Sequence, residues 1–95
     1  MILDELDIKV LYENFDEESI NKVDYVNLNK IFAYLEENGI YYYKDLFLSS
    51  LDLFLLPYDI FVKRFEKLKQ VLGENYVSKL GEDSSQIELM YLDWL

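Results

Sequence analysis

Three carboxylates in a row, Asp16-Glu17-Glu18, form the densest cluster of potentially reactive side chains in this sequence. Their oxygens would suit a hard cation, but a calcium loop needs alternating Asp or Asn ligands, a central glycine and a distal Glu. None of these accompanies the run. The pattern fits a helix start better, with Asp16 as the cap and Glu17 and Glu18 in a first turn where the helix dipole favours negative charge. A second cluster is cationic. Lys63, Arg64, Lys67 and Lys69 lie close together; Lys63 and Lys67, four apart, share a helix face with Arg64 beside them. Such a stripe can contact phosphates or neutralise the neighbouring Asp59 and Glu66. A third is aromatic. Tyr41-Tyr42-Tyr43 cannot all face inward from one short helix, so Tyr41 or Tyr43 is expected at the surface, where tyrosine is a favoured interface anchor. Tyr42 is the one expected in the core.

The missing residue types matter as much. The chain has no histidine or cysteine, which excludes a nucleophile–His–acid triad, a disulfide and a thiolate-held metal. No spacing among the serines marks one as activated by a lysine. The glycines, at 39, 73 and 81, are isolated and make no phosphate-cradling loop. A pair of carboxylates is always to be found in a chain with 19 acids, so its presence carries no argument for glycosidase-type chemistry. The expectation is a protein that is not an enzyme and holds no cofactor or metal.

The 19 acids face 9 basic side chains, for a net charge of −10. Both ends are acidic, and the Lys63–Lys69 stretch is the one locally basic region. A field of this sign disfavours nonspecific contact with nucleic acid or anionic lipid and favours basic partners. If residues 4–24 were mostly helical, their acids would lie along ~32 Å at ~1.5 Å per residue. That linear density approaches the phosphate spacing of one DNA strand.

With 95 residues, 52% of them hydrophobic, the chain reads as a single acidic helical domain spanning 1–95. The most apolar stretch, residues 47–56, contains Asp52 and is too short to span a bilayer. The N-terminus has no basic segment ahead of an apolar run and does not read as a signal peptide. A cytoplasmic location is expected, and the Met1 start suits a complete small gene product. The bias towards Ile, Asn, Lys and Tyr suits an AT-rich genome, such as that of a low-GC bacterium or a phage.

Helical periodicity dominates. Leu28, Ile31, Phe32 and Leu35 form one apolar stripe ending at Asn38-Gly39, and Phe61, Phe65, Leu68 and Leu72 form another between Pro57 and Gly73. Leu3, Leu6 and Val10 predict a helix ending near Asn14. Shorter helices are expected at 42–48 and 74–80, with turns at 17–23 and 51–56. Ser85-Gln86-Ile87-Glu88 reads as a capping box opening a last helix that carries Leu89, Leu92 and Trp94. No segment alternates with period two. The fold class is all-α, a compact bundle of five or six short helices.

An internal echo at about 34 residues pairs Gly39 with Gly73, Tyr42 with Tyr76 and Leu46 with Leu80. It suggests two helical repeat units of about that length, with the N-terminal helix as the second half of an incomplete earlier one. Leu35-x3-Gly39-Ile40 followed by Asp45-Leu46 resembles helix-hairpin and transcription-factor-type helical repeats over about a third of the chain. The turn differs from their glycine-rich, basic one, because here it is Asn38-Gly39-Ile40-Tyr41.

These readings converge on a non-catalytic protein-binding protein whose partner has a basic surface. In composition it is similar to the small, acidic, cysteine-poor anti-restriction and anti-CRISPR inhibitors, some of which act as DNA mimics. One alternative is a nucleic-acid-associated helical module using Lys63, Arg64, Lys67 and Lys69 of the Lys63–Lys69 helix. The other is a homo-oligomer held together by exposed tyrosines and the C-terminal helix with Tyr91, Trp94 and Leu95. No membrane partner is expected.

Overall fold

A computed structural model describes residues 3–91, among which there are six α-helices, two 3-10 helices and no strand. The α-helices are α1 (Glu5–Asn14), α2 (Glu17–Asn21), α3 (Tyr25–Glu37), α4 (Tyr43–Ser49), α5 (Tyr58–Leu72) and α6 (Tyr76–Glu82). The 3-10 helices are η1 (Leu51–Leu55) and η2 (Ser84–Tyr91).

The first three helices start on aspartates. Asp4 and Asp7 form a reciprocal capping box, and the Asp16 and Asp24 side chains accept backbone N–H groups of Ser19 and of Val26 and Asn27. Helix α1 stops at Phe15, whose φ of −134° and ψ of 156° are extended. The 4–24 segment is therefore two short helices with a bend between them, and the ~32 Å acidic rod expected of a continuous helix does not form. Helix α3 ends in a Schellman motif: Ile40 N–H donates to Leu35 O and Gly39 N–H to Glu36 O, with Gly39 at φ 84°. Gly73 ends α5 differently, at φ 84° and ψ −166°, a region essentially reserved for glycine.

The sequence cap at the C-terminal end is displaced. Ser85 is not the cap; Asp83 accepts from Ser85 N–H at 3.2 Å, and the segment that follows winds as 3-10 rather than α-helix. The Ser85 hydroxyl also donates to the Asp83 carboxylate, two residues upstream. Of the last helix's expected residues, Leu89 is half-buried, while Leu92, Trp94 and Leu95 lie outside the described residues.

The elements recur. Tyr25 and Tyr58 open the long helices, Tyr43 and Tyr76 the short ones, and Leu51 and Ser84 the 3-10 helices, each pair 33 residues apart. The residues preceding the short helices, Tyr42 and Asn75, have nearly identical dihedrals (φ −93°, ψ 29° and φ −92°, ψ 26°). The recurrence is thus 33 residues rather than 34, because α5 is longer than α3 and the turn after Gly73 is shorter by one. Helix α1 packs on α4, α2 on η1 and α3 on α5, whereas α4 with α6 and η1 with η2 are not closely packed pairs. The core is apolar throughout, with Phe47, Phe54, Phe61 and Phe65 at its centre and no buried polar or charged residue among those described.

Candidate functional site

The acidic end is built by α1 and α2. Glu5, Glu13, Glu17 and Glu18 are exposed, and Lys9 and Lys22 are the cations of this segment. Several of its aspartates are occupied with the fold. Asp7 closes the α1 capping box and pairs with Lys44 of α4 at 3.1 Å. The Asp4 N–H and the Lys44 ammonium hold the Asp7 carboxyl below its usual range. Asp16 is likewise held low by the Ser19 side chain and N–H it caps, the latter at 2.8 Å. The structure therefore gives Asp16 a capping role and leaves Glu17 and Glu18 exposed.

The cationic stripe does not hold together as one surface. Lys63 and Lys67 are exposed. Arg64 is half-buried, one guanidinium nitrogen donating to Met90 O at 2.7 Å, with Nε buried and unpartnered among the described residues. Lys69 turns the other way, donating to Asn38 Oδ1 at 2.7 Å, pairing with Glu66 at 3.1 Å and lying over the Tyr76 ring. The reason is positional. Phe61, Arg64, Phe65 and Leu68 have the same i, i+3, i+4, i+7 spacing as Leu28, Ile31, Phe32 and Leu35, so Arg64 stands where α3 carries a core isoleucine. Its stem packs inward and its head finds a carbonyl.

The three tyrosines separate. Tyr41 is 75% exposed and borders an open hollow with Ala33, Glu36 and Glu37. Tyr42 is half-buried and donates from its hydroxyl to Val77 O at 2.5 Å. Tyr43 is half-buried against Phe32, with ring centroids 4.6 Å apart. Tyr41 is thus the surface member of the expected pair, while Tyr43 packs against the core. Tyr76 meets Phe65 edge to face at 6.3 Å, whereas the Tyr43 ring lies tilted against Phe32.

What the spacing of residues did not reveal is a polar seam between α3 and α5. Asn27 accepts from Tyr58 N–H at 2.8 Å and donates to Leu56 O at 2.8 Å, so α3 caps a helix that Pro57 leaves without a side-chain cap of its own. Tyr34 donates to Glu66, and Tyr76 donates to Asn38 O at 2.8 Å. The only available signal was an asparagine inside an apolar helical stripe, a poor helix former with no local reason to be there.

A second hollow, of ≈ 550 Å³, opens between α1 and α4 and is lined by Val10, Phe15, Leu48, Asn14, Asp45 and Ser49. No cluster of three or more metal-ligating side chains occurs among the described residues. No described helix is long and apolar enough to cross a membrane. The chain matches no protein-family model, no curated protein and no solved structure. Fold and surface together define a class only: an acidic all-α bundle of short helices.

Proposed function

We propose that this chain is a non-catalytic protein-binding protein that presents its α1–α2 end to a basic surface, acting as an acidic inhibitor of a protein that handles nucleic acid. The observation that supports this reading is the set of exposed glutamates on α1 and α2: Glu5, Glu13, Glu17 and Glu18 take no part in the caps or in the ion pair with Lys44. Carboxylates left free in this way speed encounter with a cationic partner and exclude anionic ones. The bend at Phe15 makes the mimicry one of a charged patch rather than a straight strand of phosphates. Contact through α5 is the weaker reading, because only Lys63 and Lys67 of its cations stand free.

The test is a quantitative pull-down from nuclease-treated lysate, comparing the wild type with a variant carrying Glu5→Lys, Glu13→Lys, Glu17→Lys and Glu18→Lys. A nucleic-acid-handling protein retained by the wild type, lost by the variant and displaced by added duplex DNA is the expected result. Retention that depends on nucleic acid, or that survives the charge reversal, would sink the reading.

A further inference from the structure

The hollow of ≈ 550 Å³ between α1 and α4 falls within the size range of recognition sites, roughly 300–1,000 Å³. Val10, Phe15 and Leu48 make its apolar lining, and all three are half-buried. Leu6, one turn before Val10 on the same ridge of α1, is 73% exposed and extends the apolar strip beyond the hollow. The polar lining residues have their donors engaged elsewhere. Asn14 Nδ2 donates to Val10 O at 2.8 Å, and the Ser49 hydroxyl donates to Asp45 O at 3.0 Å. An incoming group therefore meets an apolar lining with one carboxylate, that of Asp45, which is exposed and in no ion pair among the described residues.

Charge selects what carries the apolar groups in. Glu13, three residues after Val10, is exposed, and so are Glu17 and Glu18, which follow Phe15 across the Asp16 cap. The cations of the same elements do not offset them at the hollow. Lys44 is held by Asp7 at 3.1 Å. Lys9 sits on the ridge beside Val10, outside the lining, and Lys22 ends α2. A second copy of the chain, with its net charge of −10, would bring like charge to like. The chain's own residues 81–95, with four acids and no base, would do the same. Nucleic acid and anionic lipid are repelled on the same ground, whereas a basic segment is attracted.

We propose that the groove between α1 and α4 receives an amphipathic basic helix of the protein partner, its apolar side chains lying on Leu6, Val10, Phe15 and Leu48 and its lysines or arginines meeting Asp45 and Glu13. The proposal rests on the reading of the chain as a binder of basic proteins, and names the element by which such a partner docks. A helix laid in a groove uses anchors at i, i+3 or i+4, and i+7, which span ~10 Å at ~1.5 Å per residue. The ridge from Leu6 through Val10 to Asn14 runs ~12 Å on the same rise, long enough for all three. The apolar groove fixes where the partner sits, and the surrounding glutamates speed its arrival.

The test is an NMR titration of the full chain with a synthetic leucine–lysine peptide of about five helical turns, its leucines on one face. A peptide of identical composition with the leucines scattered around the helix is the control. The one-faced peptide is expected to shift the Val10 and Leu48 methyls and the Phe15 ring, and to bind at least about tenfold more tightly than the control. Ser49→Trp fills the hollow without changing charge, and Asp45→Lys reverses its carboxylate without filling it. Both positions are exposed, and far-UV circular dichroism verifies that each variant folds. Ser49→Trp is expected to weaken the one-faced peptide about tenfold and to leave the control unchanged, and Asp45→Lys to weaken it several-fold. A variant carrying Glu5→Lys, Glu17→Lys and Glu18→Lys, all outside the lining, is expected to weaken both peptides alike. Shifts centred away from the groove, equal affinity for the two peptides, or indifference to Ser49→Trp would each overturn the groove without touching the acidic-face reading. That reading falls, and takes the choice of a basic occupant with it, if glutamate reversal leaves both peptides bound as before.

Discussion

Gly39 and Gly73 share a φ of 84° and are not interchangeable. Gly39 closes a Schellman motif, whose left-handed residue is commonly glycine and sometimes asparagine. A side chain there would meet the Val77 methyl at 3.5 Å, an ordinary contact. Gly73 has open space around it, but its ψ of −166° places it where side chains are strained whatever the space. Gly39→Asn is therefore expected to cost under about 1 kcal/mol, and Gly73→Asn about 1–3 kcal/mol. Urea unfolding of the two variants checks this; equal losses would contradict the distinction. Both glycines were visible in the sequence as helix stops. Which of them an asparagine can replace was not, because ψ depends on where the next helix is anchored.

At the scale of elements, the seam between α3 and α5 titrates. The Tyr34 hydroxyl, and then Lys69, hold the Glu66 carboxyl below its ordinary 4.5. Burial, and then Glu66, push the Tyr34 phenol above its ordinary 10.0. The two shifts are the two sides of one hydrogen bond. A carboxylate with a lowered folded pKa stabilises the fold above its unfolded value, and that contribution disappears as pH falls through the folded value. A phenol with a raised folded pKa stabilises below its unfolded value, and the contribution is lost as pH rises past it. The urea midpoint should be flat from roughly pH 5 to 9.5 and fall on either side. Tyr34→Phe keeps the ring contacts with Tyr58 and Phe65 and should soften both arms without abolishing either, because the Tyr42 and Tyr91 phenols are also raised and the Asp7 and Asp16 carboxyls also lowered. An unchanged profile in that variant would place the titration elsewhere.

The elements themselves were largely legible in the sequence. Stripes at helical spacing, bounded by Asp, Pro and Gly, placed α1, α3, α4, α5 and α6 within about two residues of where they lie, within the usual fraying of helix ends. The surface was less legible. The four cations of α5 read as one patch because charge was counted apart from the apolar stripe. Arg64 laid over Ile31 points inward, whereas Lys69 laid over the exposed Glu36 gives no sign that it meets a neighbouring helix. The acidic segment reads as a rod on linear charge density alone, whereas the Asp16 cap ends whatever helix precedes it. Asn27 escaped because its hydrogen-bond partners lie 29 and 31 residues away.

At the scale of the molecule, a net charge of −10 is held within a radius of gyration of 12.9 Å, so self-repulsion works against the compact state. Only Lys44–Asp7 and Lys69–Glu66 pair as ion bridges among the described residues, and both are partly exposed, so screening costs little attraction and relieves much repulsion. Raising salt from a few millimolar to physiological strength should raise the melting temperature by a few degrees. A decrease, read by differential scanning calorimetry at fixed protein concentration, would mean that the pairs outweigh the repulsion.

Stacked helical units ordinarily contribute stability unit by unit, and arrays of them can fray from one end. The Asn27 clip works against that here. The first turn of α5 obtains its cap from α3, so the second full unit lacks a self-sufficient starting point and cannot outlive the first. The chain should melt in a single cooperative step, and cutting it between η1 and α5 should yield two fragments that do not fold separately.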